Sequence, residues 1–196
     1  MDAARSWDKA LGNLTNFNVR EHVALGAFIE ERGQRARSEE AEPLVGVTNS
    51  GGLADFKGKP SADRARYRRI MVGDFVYNPM RVNVGSLALC RYPEEEGWVS
   101  PEYVVFRLLP DAPFSAEYLL FFLKSLAGRE EISRHVQGGV RARLYYANLT
   151  RVEVPVPTDS TAWDDFLANM MELSSMTNRA IGSGSLGDLA ASLFGN

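Results

Sequence analysis

GDFVYNPMRVNVGS, running from Gly73 to Ser86, decides how this chain is read. Asp74 to Tyr77 is a short β-type run, Pro79 stops it, and Gly85 lets the backbone turn back. The loop between them carries Arg81 and Asn83, groups that hold ligands and do not break bonds. An acidic stretch, Glu94-Glu95-Glu96-Gly97, is expected as a hairpin turn, and VSPEYVVFRL, Val99 to Leu108, follows as another β-type run. A strand–loop–strand frame with an arginine and an amide but no nucleophile predicts a surface for binding.

Around this frame the β pattern continues. Ile70 to Val72, Gly85 to Cys90 and Val99 to Leu109 read as strands, and Leu44 to Gly52 as a β run closed by glycines. Residues 53–69 are polar and basic, an exposed loop or short helix. Residues 25–37 begin strand-like and turn charged, while Trp7, Leu11, Leu14 and Phe17 recur at helical spacing, so residues 1–24 are expected as an N-terminal helical extension. Downstream, Ser115 caps a helix with an apolar face through Leu126, a second helix covers Arg129 to Val136, and Val152 to Val156 forms a last strand stopped by Pro155 and Pro157. Trp163, Phe166, Leu167, Met170 and Leu173 then recur at three-four spacing, so 158–181 reads as one long amphipathic dimer or partner helix. Residues 182–196 read as a flexible tail with a short helix. Strand clusters followed by separate helices give an α+β fold, a mixed globule over 25–157.

Composition agrees with a globular chain. Of 196 residues 45% are hydrophobic and 24% charged, which supplies a core and opposes wholesale disorder. No stretch reaches the roughly 18 apolar residues of a membrane span, and no signal-peptide core is seen near the start. The single Cys90 excludes an internal disulfide and a multi-cysteine zinc site, so a cytoplasmic location is expected. The net charge of −3 is unevenly spread. Residues 61–151 carry 13 basic and 10 acidic side chains, and residues 152–196 carry 1 and 6. A modestly basic middle beside an acidic tail permits local phosphate contacts but predicts weak DNA binding by the chain alone.

Catalytic patterns fail one by one. Tyr77-Asn78-Pro79-Met80 resembles the Asn-Pro-Pro-aromatic motif of adenine-N6 methyltransferases but lacks its second proline and its aromatic, and no glycine-rich cofactor loop precedes it. A metal-dependent nuclease strand needs Glu-x-Lys, and Glu153-Val154-Pro155 puts proline at the lysine position. His22 and His135 stand apart with no patterned ligands, as a surface and a helix-end histidine. Cys90, in Leu-Ala-Leu-Cys, reads as a buried hydrophobe. No catalytic residue, cofactor or metal is expected.

Groups that read DNA are present. Arginine and amide side chains make bidentate contacts to base edges, and cations hold phosphates. Candidates are Asn49 and Ser50 at a strand end, Lys57, Lys59, Arg64 and Arg66 in the basic run, Arg81 and Asn83 in the loop, and Arg141, Arg143 and Tyr145 after Gly138-Gly139. Each has a structural alternative. Arg81 can pair with Asp74 or Glu102, the basic run can be a solvated face, and Tyr145 and Tyr146 can be core or hydrogen-bonded rim.

LGAFIEERGQR (25–35), LVGVTNSGG (44–52), YRRIMVGDFVYNPMRVNVGS (67–86), VSPEYVVFRL (99–108), YLLFFLKS (118–125) and GGVRARLYYANLTRVEVPVP (138–157) together resemble a target recognition domain of the specificity subunits of type I restriction-modification systems. The resemblance covers about two thirds of the chain. It implies an α/β globule on long helices that reads one half of a bipartite site in double-stranded DNA. It also implies a modification (methyltransferase) subunit and a restriction subunit as partners that supply all catalysis. Two departures stand out. Thr158-Asp159-Ser160-Thr161-Ala162-Trp163 replaces the Pro-Leu-x-x-Gln segment of the family, and there is one recognition domain where the family usually has two. A half-length subunit would form a homodimer through the Trp163 stripe; the alternative is a truncated or excised piece. The competing reading, of a different class, is a protein-interaction module that tethers the modification subunit without reading DNA.

Overall fold

The computed structural model describes residues 19–36, 43–48, 52–60, 63–82, 85–137 and 142–158. Residues 1–18 of the helical extension expected for 1–24, and the helix expected across 158–181 with Trp163, Phe166, Leu167, Met170 and Leu173, lie outside the described residues, apart from Thr158, as does the tail 182–196.

The centre is a four-stranded antiparallel sheet in the order β2 (Ile29–Glu31), β9 (Val104–Leu108), β6 (Asp74–Tyr77), β7 (Leu87–Leu89). Side chains alternate across a sheet, so each strand feeds two faces. Phe75, Tyr77, Leu87, Leu89, Val104 and Phe106 point to one buried side. Val76, Ala88 and Val105 point to the other, against Val45, Ile70 and Val99. Burial on both faces explains why β6 reads as an unbroken apolar run after Asp74. Phe75 and Phe106, directly paired across β6 and β9, stack with ring centroids 4.8 Å apart.

The second face is covered by two small antiparallel pairs, β3 (Val45–Val47) with β4 (Leu53–Asp55) and β5 (Arg68–Ile70) with β8 (Gly97–Val99). A parallel bridge between Leu44 and Trp98 joins them. The first face is covered by α1 (Ala116–Lys124), α2 (Leu126–His135) and the one-turn α3 (Tyr146–Leu149). Ser115 caps α1 as expected, its side chain accepting the Tyr118 N–H at 3.2 Å. Mixed α+β is the observed class.

Several local expectations are corrected. Residues 19–24 form strand β1 (Val19–Ala24), not the end of a helix, and pair with β10 (Glu153–Pro157). Val23 packs inward while Arg20, Glu21, His22 and Ala24 are exposed, so pairing with β10 overrides any helical tendency. Val99 to Leu109 is two strands in two sheets: proline at 101 cannot donate, the Tyr103 N–H closes a turn onto the Ser100 carbonyl at 3.0 Å, and the chain changes layer. For the same reason Glu94 to Gly97 is no hairpin turn. Glu94 and Glu95 belong to a 3-10 turn at Pro93–Glu95, Gly97 opens β8, and β7 and β8 pair with different strands. Pro155 sits inside β10 without stopping it, and Pro157 is its last residue. Among the described residues that strand is paired on one side only, where a proline N–H is least needed. The second helix also starts three residues early, at Leu126, because Ser125 caps it by accepting the Gly128 N–H at 3.1 Å.

Candidate nucleic-acid interface

The loop between β6 and β7 is built to hold Arg81 outward. The Arg81 N–H donates to the Asn78 carbonyl at 3.0 Å, and the Met80 N–H to the Asn78 side-chain oxygen at 3.0 Å. An Asx-type turn of this kind uses the asparagine amide in place of a second backbone acceptor. Further on, the Ser86 N–H reaches back to the Arg81 carbonyl at 3.1 Å. Gly85 sits at φ 91°, a left-handed conformation open to glycine and strained for other residues. The loop backbone is therefore tied at both ends while the Arg81 side chain remains exposed.

Leu144 brings the second candidate cluster to this loop. Its N–H donates to the Pro79 carbonyl at 3.0 Å, and its own carbonyl accepts the Tyr77 hydroxyl at 3.0 Å. Leu144 is fully buried, so its neighbours in an extended segment, Arg143 and Tyr145, face the other way. Arg143 is also fixed by a two-bond bridge with Gln137, at 2.8 and 3.0 Å. Burial pushes the Tyr77 hydroxyl far above its ordinary value, with a smaller push from Glu31, so it stays a donor at any physiological pH.

Between these segments lies a cleft of about 230 Å³. Pro79, Met80, Pro101, Glu102, Arg143 and Tyr145 line it, together with Glu31, Arg68 and Tyr146. Met80 and Tyr145 are 44% and 48% exposed, large apolar surfaces beside cations. The cleft is not uniformly basic. Glu31 is matched by Arg68 at 2.8 Å, and Glu102, 65% exposed, lies 4.0 Å from Arg143. An ion pair that long and that open leaves both groups available to a ligand.

The fold is shared with known structures. Over 84% of its length the chain superposes on the HsdS subunit from Thermoanaerobacter tengcongensis with a TM-score of 0.58 at 16% sequence identity, spanning 45% of that chain. A chain from a structure on complex assembly and conformational transition of the type I R-M system gives a TM-score of 0.58, 17% identity and the same 84% coverage, spanning 46% of it. The chain is similar to both in fold. It spans less than half the length of either. No family model matches the chain, and no curated protein does.

Within this HsdS-like fold the expected residues divide. Arg143 and Tyr145 meet at the cleft, and Arg81 follows the lining residue Met80 in sequence but is not itself part of the lining. Arg81 takes neither partner foreseen for it. Asp74, almost fully buried, is held by Arg107 at 2.7 Å with Arg32 at 3.8 Å, and Glu102 lies nearest Arg143. Lys57, Lys59 and Arg66 are exposed and Arg64 half-buried, on the layer built by β3, β4 and β5 and outside the cleft lining. Lys57 and Lys59 follow a strand, β4, and Arg64 and Arg66 lie in a 3-10 turn, within a span that reads as a loop or short helix. Asn49, Ser50, Asn83 and Arg141 lie outside the described residues. Thr48 and Gly52, on either side of Asn49 and Ser50, close the hairpin with bonds of 2.9 and 3.1 Å.

Three lining residues carried no signal that singled them out. Arg68 was one cation in a basic run, and only its place on β5 turns it to the cleft. Met80 and Glu102 are unremarkable as residue types. Tyr146 fits the rim reading: it is half-buried, donates to the Ile29 carbonyl at 3.2 Å, and is pushed up by burial and then by Glu31 and Glu30. Cys90 is buried, and its thiol is pushed up to about 12 by burial and nearby carboxylates, which leaves it unreactive at neutral pH. Among the described residues no His, Cys, Asp and Glu converge in the way a metal site requires, and no helix is long and apolar enough to cross a membrane.

Proposed function

We infer that this chain recognises double-stranded DNA as a specificity subunit, or half of one, in a type I restriction-modification complex. It reads one part of a split site and directs a separate adenine methyltransferase and nuclease, contributing no catalytic group, cofactor or metal of its own. The observation that carries this reading is the double anchoring of Leu144, which brings Arg143 and Tyr145 to the Pro79–Arg81 turn within an HsdS-like fold. Guanidinium groups on tied backbone suit base-edge contacts, since little freedom is lost on binding. Lys57, Lys59, Arg64 and Arg66, with Asn49, Ser50, Asn83 and Arg141, add phosphate or base contacts in this reading.

A split site takes two recognition domains, and residues 25–157 supply one of them in this reading. A second copy, joined through the Trp163–Leu173 stripe, supplies the other half. Polar replacement of Trp163 and Met170 together then abolishes self-association or assembly with the modification subunit in sedimentation experiments.

The deciding experiment is a duplex-binding titration over a salt series. DNA recognition predicts log K falling with log salt at about −0.9 per phosphate neutralised. A tether without DNA readout is the second reading, favoured by the exposed apolar group of Met71, Val72 and Tyr92 near the opposite end of β6. Absence of duplex binding with the modification subunit present would leave that reading standing.

A further inference from the structure

Five large apolar side chains are markedly exposed among the described residues, and two of them, Met80 and Tyr145, line the same cleft. A single exposed methionine is ordinary on a protein surface. A methionine on a turn tied by several hydrogen bonds is less so. The Met80 N–H is held by the Asn78 side chain, its preceding residue is proline, and the Pro79 carbonyl is occupied by the Leu144 N–H. The side chain is thus presented from a rigid turn, with Arg81 next to it in sequence and Arg143 across the cleft.

Resting on the DNA reading above, the geometry points to Met80 as a specificity residue that contacts the C5 methyl group of a pyrimidine in the major groove. Base edges there offer hydrogen-bonding atoms and one apolar feature, that methyl. Arg81, Arg143 and Glu102 are suited to the polar atoms: arginine to guanine, and a carboxylate to the cytosine amino group. Only Met80 and Tyr145 among the exposed cleft side chains offer an apolar surface. Met80 is the better fit, because a thioether is flexible and polarizable and closes around a methyl, whereas the tyrosine ring is suited to stacking. Thymine and 5-methylcytosine present the same group, so both belong to the ligand class.

The test uses the full chain together with the modification subunit at low salt, and a duplex selected by that complex from a randomised library. Each thymine in the selected duplex is replaced in turn by deoxyuridine, which removes the methyl alone. One replacement is expected to weaken wild-type binding about fourfold, the loss appropriate to one buried methyl. The same replacement should leave the Met80→Ser variant unaffected, and Met80→Leu should keep the sensitivity. At that position a cytosine·guanine pair should bind better when the cytosine carries a 5-methyl group. Equal losses in wild type and Met80→Ser, uniform indifference to deoxyuridine, or no gain from 5-methylcytosine overturns the assignment of Met80 and leaves DNA recognition standing. Failure to select any sequence at all removes the DNA reading and this inference together.

Discussion

The Tyr77 hydroxyl, at the end of the central strand β6, donates to the carbonyl of Leu144 at 3.0 Å across 67 residues of sequence. Together with the Leu144 N–H on the Pro79 carbonyl, it holds the Arg143–Tyr145 segment against the β6–β7 loop. Replacing Tyr77 by Phe keeps the ring in the core and orphans a buried carbonyl, at about 1–3 kcal/mol. Denaturant unfolding should report that loss. Duplex binding should weaken beyond what reduced stability explains, since the segment is released from its partner. A variant that unfolds early but binds with unchanged affinity would detach the tyrosine from the interface.

Arg81→Ala and Arg143→Ala should each weaken specific binding by about 1–3 kcal/mol if the arginine pairs with a guanine edge. Neither side chain is part of the core, so thermal stability should change little. Unaltered footprints in both variants would move the interface elsewhere on the molecule.

Lys57 and Lys59 belong to a different layer and suit phosphate contact. Replacing both by Gln should lower affinity for all duplexes alike and make the salt slope shallower by about 1 for each phosphate left without its lysine. An unchanged slope would return these lysines to the role of a solvated face.

Asp74 accepts from Arg107 at 2.7 Å and from the Met71 N–H at 2.9 Å while nearly fully buried. Asp74→Asn removes the charge that those donors answer, and should cost about 2 kcal/mol in denaturant unfolding. Arg107 keeps partial solvent contact and its bond to the Val72 carbonyl at 2.8 Å, so the loss stays below that of a fully buried pair. A loss under half a kilocalorie would mean Arg107 is satisfied without it.

Tyr118 gives a prediction in alkali. Burial pushes its hydroxyl up to about 12, and it donates to the Pro155 carbonyl at 2.5 Å. In the unfolded chain a tyrosine titrates near 10, so the folded state keeps its proton longer. The stability linked to it is complete below pH of about 10 and is lost as the pH rises toward 12. Wild type should therefore lose stability relative to Tyr118→Phe across that window, and a constant difference between the two would show that the hydroxyl is not so held. Comparison with the variant removes the contributions of other groups that titrate there.

Local chemistry made much of this protein legible. Ser115 before a helical apolar stripe marked the start of α1, because a cap is a contact between near neighbours. Asp74 to Tyr77 was legible as a strand, since Phe75, Val76 and Tyr77 are β-prone, and Arg143 and Tyr145 as binding candidates from their type. The strand at Val19–Ala24 was not, because what makes it a strand is β10, more than a hundred residues later. Nor was the split of Val99 to Leu109, whose two halves answer to partners in different layers. Met80 and Arg68 escaped because nothing in their neighbourhood of sequence says that a cleft adjoins them.

The amino-acid order alone determined the mixed α+β class, the rigid turn at Asn78–Arg81 and the lack of a patterned catalytic group. These follow from the conformational preferences and side-chain chemistry of residues a few positions apart. Tertiary structure decided that Asp74 answers Arg107 and leaves Arg81 exposed, and that Pro79 meets Leu144. Those pairings depend on which strands align and in what register. Many alignments satisfy the same local pattern, and only burial of the whole core selects among them.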